Sequence, residues 1–254
     1  MIGSRQPERR LVDAVDKFFV HDGELTKILD ERIISYTIRR IIHGIRFMLE
    51  ESNTSHTDLD KTIDHIKTYF NENTALDFED PALERLTPLI YSILVTAEKR
   101  NTKRMQAVIL DRCKEDNMLA CYICGVSLDF DDPESDVRPE IEHLFPHSFG
   151  GENSLSNFRL ACSKCNAQKS DAIGAFDFHF ERISTRHTES HEKYASRLFA
   201  RPNAVALKLK ANCRCTHCGR SADEVGELKA FRLEENDSWH YLNIGMTCNN
   251  HNDT

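Results

Sequence analysis

The chain has 254 residues, 40% hydrophobic and 29% charged, and carries a net charge of −8 from 33 basic and 41 acidic side chains. That length suits two domains or one domain with additions, the composition excludes a fibrous or disordered protein, and the acidic balance argues against a chain coated in nucleic acid. No apolar run approaches the ~20 residues of a membrane span, and the opening MIGSRQPERR lacks the apolar core of a secretory signal, so a cytoplasmic address with no membrane partner is expected.

The first half reads as helices. LVDAVDKFFV (11–20) and LTKILDERIISYTIRRIIHGIRFMLEE (25–51) repeat apolar residues at three- and four-residue intervals. Leu25, Ile28, Leu29, Ile33, Ile41, Ile42, Ile45, Met48 and Leu49 are expected to form one broad buried stripe. A third helix is expected from Thr57 or Asp58, with Leu59, Ile63, Ile66 and Phe70 turned inward. Asp80-Pro81 signals a helix start and Thr87-Pro88 a second one, because proline suits a first turn. Helical spacing then continues from 88 to about 114, with a break expected near Arg100-Asn101. This half shows no catalytic constellation, so 1–103 reads as a helical domain for partner binding or oligomerisation.

From Cys121 onward the chain changes to short runs, turn residues and cysteine pairs. Eight of the nine cysteines lie here; Cys113, alone on a helix, reads as a small buried apolar residue. Cys121-x2-Cys124 meets Cys162-x2-Cys165 after 37 intervening residues. Four thiolates in two such pairs suit tetrahedral zinc, and in an intracellular protein they favour metal over disulfides. A second set, Cys215-x2-Cys218 and Cys248-x2-His251, is separated by 29 residues and suits zinc as well, with Cys213 a rival to Cys215.

The two blocks look like a diverged internal repeat. AVIL (107–110) precedes CYICG as AVAL (204–207) precedes CTHCG, and LACSKCN is matched by MTCNNHN. Trp239-His240 stands roughly where the first block has Glu142-His143, without the carboxylate, proline or Gly-Gly. The second block therefore reads as a structural zinc module with no chemistry of its own. Charge is unevenly spread. Residues 50–84 hold ten acids against Lys61 and Lys67, whereas 194–220 hold Arg197, Arg201, Lys208, Lys210, Arg214 and Arg220 with no acid. That stretch is the first candidate for phosphate contact, a solvated basic face being the plainer alternative.

The chemistry lies between the first two pairs, in EIEHLFPHSFGGENSLSNFRLA (140–161) and the CSKCNAQKS that follows. His143 suits a general base, since imidazole titrates near neutrality. Glu142 and the amide oxygen of Asn166 are hard ligands appropriate to Mg²⁺ or Mn²⁺. Adjacent strand residues face opposite ways, so Glu142 and His143 need a strand end or bulge to serve one site. Pro146 and Gly150-Gly151 supply the turn, and a helix over about 163–170 would carry Asn166 back across the hairpin.

These motifs, CxxC, EHxxPxSxGG and SNxxLxCxxCNxxK, resemble the HNH endonuclease family over roughly 104–170. The resemblance implies a ββα-metal fold within an α+β chain: an N-terminal all-α domain, an HNH domain over 104–180 with a four-cysteine zinc, and a helical linker with a second, degenerate zinc-ribbon-like module over 181–254. It implies that His143 activates water, that Glu142 and Asn166 hold the catalytic metal, and that Asn157 holds the hairpin loop and orients His143. Lys169 matches the lysine that could contact phosphate. His147 falls where the family varies and is expected at the surface. The family more often has Asp at the place of Glu142, though an EH variant occurs among anti-phage nucleases such as the Septu type. The implied activity is metal-dependent DNA hydrolysis in restriction or defence, with a homodimer or a defence ATPase as partner of the helical domain. The alternatives are an RNA-cleaving HNH nuclease and a non-catalytic zinc-ribbon module binding nucleic acid or protein.

Overall fold

The computed structural model describes residues 23–55, 57–73, 80–98, 103–179, 184–185, 201–235 and 238–251. The helix expected over 11–20, the break at Arg100-Asn101 and Arg197 lie outside the described residues. Four helices come first: α1 (Gly23–Glu51), α2 (Leu59–Asn73), α3 (Asp80–Glu98) and α4 (Lys103–Glu115). Ile42, Ile45 and Leu49 of α1 meet Ile66, Tyr69 and Phe70 of α2 and Ile90 and Leu94 of α3 in one core. Their three- and four-residue spacing puts them on single helix faces, and burying those faces stabilises the bundle.

Two expectations for this half need correction. Leu29 and Ile33 are not part of the buried stripe; Ile33 is 63% exposed, and Leu59 of α2 is exposed as well. Near its start α1 buries Ile28 in the core of the second module, and farther on α2 and α3 cover it around Ile42, Ile45 and Leu49, which leaves Leu29 and Ile33 at the surface. Thr87-Pro88 does not start a helix: α3 runs unbroken from Asp80, with Pro88 inside it. Thr87 Oγ1 donates to the Leu83 carbonyl at 2.8 Å, and the buried Ile90 and Leu94 hold the turns beyond the proline. Proline removes one helical hydrogen bond, and this packing offsets the cost.

After α4 come β1 (Pro139–His143) and β2 (Phe158–Cys162), paired antiparallel with Glu142 opposite Arg159 and His143 opposite Phe158. The short α5 (Ser163–Lys169) crosses this hairpin. Farther on lie β3 (Ser184–Thr185), α6 (Arg201–Lys210), α7 (Ala222–Val225), β4 (Lys229–Arg232), β5 (Trp239–His240) and β6 (Ile244–Thr247). β4 pairs with β6, and β3 with β5, both antiparallel. The whole is a mixed α+β chain of helices and two-stranded sheets.

The repeat suspected from the sequence is written in the backbone. Cys121 N donates to Val126 O and Gly125 N to Cys121 O; Cys215 N donates to Arg220 O and Gly219 N to Cys215 O. The bridge Ala120–Ser127 has its counterpart in Arg214–Ser221. Tyr122 N reaches Leu160 O, as Thr216 N reaches Met246 O. Both knuckles close on a glycine with φ near +70° (Gly125 at 71°, Gly219 at 69°), a left-handed conformation that favours glycine. Asn157 also has a twin. Leu144 N donates to Asn157 O as Leu233 N donates to Asn243 O, and Asn243 Oδ1 accepts from Glu234 N while its Nδ2 donates to Glu234 O and Ser238 O.

This pairing corrects one alignment. The residues before Leu233 take the places of those before Leu144, so Phe231-Arg232 stands where Glu142-His143 does, and Trp239 matches Asn153. Carboxylate and imidazole are both gone from the second copy.

The helical bundle grips the hairpin loop directly. Phe149, in a 3-10 turn over His147–Phe149, is fully buried in the bundle core with Ile42, Ile45 and Leu94. The Arg39 guanidinium lies 4.7 Å from its ring centroid, and His43 meets it edge-on at 5.7 Å. Arg46 donates to Ser148 O at 2.6 Å. Gly150 follows at φ 89°, where an added Cβ would press on Ile93 of α3. Arg39 also bonds Asp171 and Asp177, and Ser35 Oγ donates to Asp177 at 2.5 Å.

Candidate active site and zinc clusters

The first set of cysteine pairs converges. Cys121, Cys124, Cys162 and Cys165 place their sulfurs within 4.8 Å of one another, with Cys124 and Cys162 at 3.9 Å. Tetrahedral zinc with Zn–S bonds of ~2.3 Å separates its sulfurs by about 3.8 Å, so the donor set fits zinc. Hydrogen bonds from Cys124, Cys162 and Cys165 hold the Cys121 thiol far below its ordinary value. Cys215, Cys218, Cys248 and His251 form the second cluster, with Cys248 Sγ and His251 Nδ1 3.3 Å apart. Burial pushes the Cys215 thiol up, but backbone N–H groups of Cys218, Cys248 and His217 outweigh it and bring the thiol down to about 6, which favours the thiolate a metal needs. Cys213, the rival, is buried apart from that cluster, and Cys113 is buried as a small apolar residue.

His143 closes β1 as its last residue, at the strand end. The ring packs edge-on against Phe158 at 4.7 Å and lies 5.2 Å from the His147 ring. Its Nε2 is 2.9 Å from Asn153 Oδ1. Asn157, the residue expected to orient it, spends its side chain on the loop instead. Asn157 Oδ1 accepts from Phe145 N at 2.8 Å, and Nδ2 donates to Phe145 O and Glu152 O, each at 3.1 Å.

The acidic face of β1 carries Glu140 and Glu142, two residues apart and so on one side of the strand. Glu142 is 3% exposed and holds Lys169 Nζ at 2.5 Å, with Tyr122 OH donating to its other oxygen at 2.8 Å. Burial pushes the Glu142 carboxyl up, while Lys169 and Tyr122 pull against it. Asn166 is brought to Glu140 rather than Glu142: its Nδ2 donates to Glu140 Oε2 at 2.7 Å, leaving its own oxygen uncommitted by that bond. Both carboxylates are already engaged, Glu140 Oε1 by Arg138 at 3.0 Å and Glu142 by Lys169 and Tyr122. The two carboxylates and the Asn166 amide oxygen are hard donors suited to Mg²⁺ or Mn²⁺ where Arg138 and Lys169 give way to the ion. The strand period of two is the sequence signal that places Glu140 beside Glu142; the Glu-His motif alone does not include it.

The expected phosphate contacts need correction. Lys169 is 2% exposed; besides Glu142 it donates to His143 O at 3.1 Å. Lys208 is buried at 8%. Lys210 Nζ donates to the carbonyls of Tyr241, Leu242 and Ile244 at 2.7, 3.3 and 3.2 Å. Lys210 thus belongs to the packing of α6 against the second module and has its ammonium engaged there. Arg201 opens α6, and its side chain is outside the described residues. Among the described residues no helix is long and apolar enough to cross a membrane.

A cysteine-knuckle hairpin crossed by a short helix, with a Glu-His pair at the strand end, makes up a ββα module. Residues 121–181 match the model of a family described as HNH endonuclease, and the chain carries an HNH endonuclease domain there. No curated protein and no solved structure matches the chain.

Proposed function

We propose that the protein is a divalent-metal-dependent endonuclease that hydrolyses DNA phosphodiester bonds, serving restriction or anti-phage defence. The observation that carries the reading is the fixed imidazole of His143 at the end of β1, one peptide from a carboxylate-and-amide face suited to a hard cation. His143 takes the proton of the attacking water. Glu142 and Asn166 would hold the cation, with Lys169 giving up Glu142 to it, and Glu140, bonded to Asn166, would join them. When bound, that cation polarises the scissile phosphate and steadies the leaving oxygen. Asn157 shapes the loop, and the first zinc keeps knuckle, hairpin and α5 together. The exposed Leu29, Ile33, Tyr36 and Phe47 of α1 support contact with a second copy or a partner such as a defence ATPase.

The test is cleavage of plasmid DNA with Mg²⁺ or Mn²⁺, comparing wild type with His143→Ala. The expected result is cutting by wild type alone, with zinc content and folding equal in the two. Wild type that binds DNA but never cuts it, whichever divalent metal is supplied, would point to a binding module. Preferential cutting of RNA of matched sequence would move the substrate from DNA to RNA.

A further inference from the structure

We infer that Asn153 is the positioning residue that fixes the tautomer of His143, so that Nε2 carries the proton and Nδ1 presents the lone pair to water. The inference rests on the reading of His143 as general base and adds the group that sets which nitrogen does the work. Asn153 Oδ1 can only accept, so the imidazole nitrogen facing it at 2.9 Å must be the N–H donor. A neutral imidazole has one N–H, which leaves Nδ1 as the acceptor. Phe158 and His147 flank the ring, so packing limits its tilt and the hydrogen bond selects its proton.

Asn153 is itself held from both sides by Asn157. The Asn157 side chain takes Glu152 O at 3.1 Å, and its backbone N–H takes Ser154 O at 2.9 Å. Asn157 therefore acts on His143 through Asn153 rather than by touching the ring. The second module supplies an independent observation. There Asn243 donates to Ser238 O as Asn157 donates to Glu152 O, which makes Trp239 the counterpart of Asn153. Trp239 carries the Arg232 guanidinium 5.6 Å from its ring centroid, and Arg232 is the counterpart of His143. In both copies the loop delivers this position to the side chain at the end of the first strand: an amide for an imidazole in one, an indole for a guanidinium in the other.

The test uses the full, zinc-loaded chain labelled with ¹⁵N-histidine, at a pH above the range in which imidazole protonates. The His143 signals are assigned by their loss in His143→Gln. Wild type should show a protonated Nε2 and an unprotonated Nδ1. Asn153→Leu should give a mixed tautomer and a kcat lower by on the order of 10- to 100-fold with KM little changed. Asn153→Asp, which keeps an acceptor, should restore the Nε2–H tautomer and part of kcat. A protonated Nδ1 in wild type, or a spectrum unmoved by Asn153→Leu in protein of normal zinc content, would overturn the assignment. If wild type proves unable to cut any nucleic acid, the nuclease reading fails while the spectra still decide the role of Asn153.

Discussion

The buried pair of Glu142 and Lys169 is the most consequential contact at the scale of single residues. Each is nearly sealed from water, and Tyr122 completes the acceptors of the carboxylate. Removing one partner of such a pair leaves a buried charge uncompensated, so Lys169→Met should cost about 3–5 kcal/mol of stability. Chemical denaturation reads this directly. The double variant Glu142→Gln/Lys169→Met should recover much of the loss, and a single variant with unchanged midpoint would show the pair to be unimportant. Glu142, His143 and Asn166 stand out in the sequence by their side-chain chemistry and by the family resemblance. Lys169, expected from the same resemblance to contact phosphate, is instead buried against Glu142. Lys169 lies three residues beyond Asn166 on α5, so both face the hairpin, and the acid waiting there takes it in. Asn153 carried no signal, since a loop residue of that type is common and its partner is set by the loop's closed shape.

At the scale of elements, the 3-10 turn over His147–Phe149 ties the helical bundle to the nuclease hairpin. Phe149 fills the space between α1 and α3, with Arg39, His43 and Arg46 around it. Phe149→Ala should cost about 3–5 kcal/mol, as large-to-small changes of buried aromatic residues do, and should also lower cleavage, because the same loop carries Asn153. Thermal unfolding together with an activity assay checks both; a fall in stability with full activity would separate bundle from site. Helix positions were legible because amphipathic spacing is a local property. That Leu29 and Ile33 stay exposed, and that α3 passes through Pro88, depend on which neighbours arrive, which no local pattern records. Phe149 lay in a stretch whose polar and glycine neighbours read as a turn, and its burial comes from a bundle more than fifty residues away.

Across the whole molecule, the two cysteine clusters were the plainest feature of the sequence, since knuckle spacing is dictated by tetrahedral coordination. Elemental analysis of the purified chain should find two zincs. Cys162→Ser should remove the first and disorder the hairpin with its site, whereas Cys248→Ser should remove the second and loosen α6 and β4–β6; a single zinc in the wild type would contradict this. The degeneracy of the second block is also legible from its missing acid, but Trp239-His240, which stands only roughly at the place of Glu142-His143, is not its counterpart. Counting back from Cys248 as from Cys162 brings Asn243 onto Asn157.

Phe231-Arg232 in place of Glu142-His143 has a consequence for the products under the proposed nuclease reading. With one Glu-His centre and one copy that lacks it, each chain would sever one strand per visit. Supercoiled plasmid should therefore accumulate as open circles before linear molecules appear on a gel. Direct passage to linear product at the earliest times would mean that two chains strike opposite strands together.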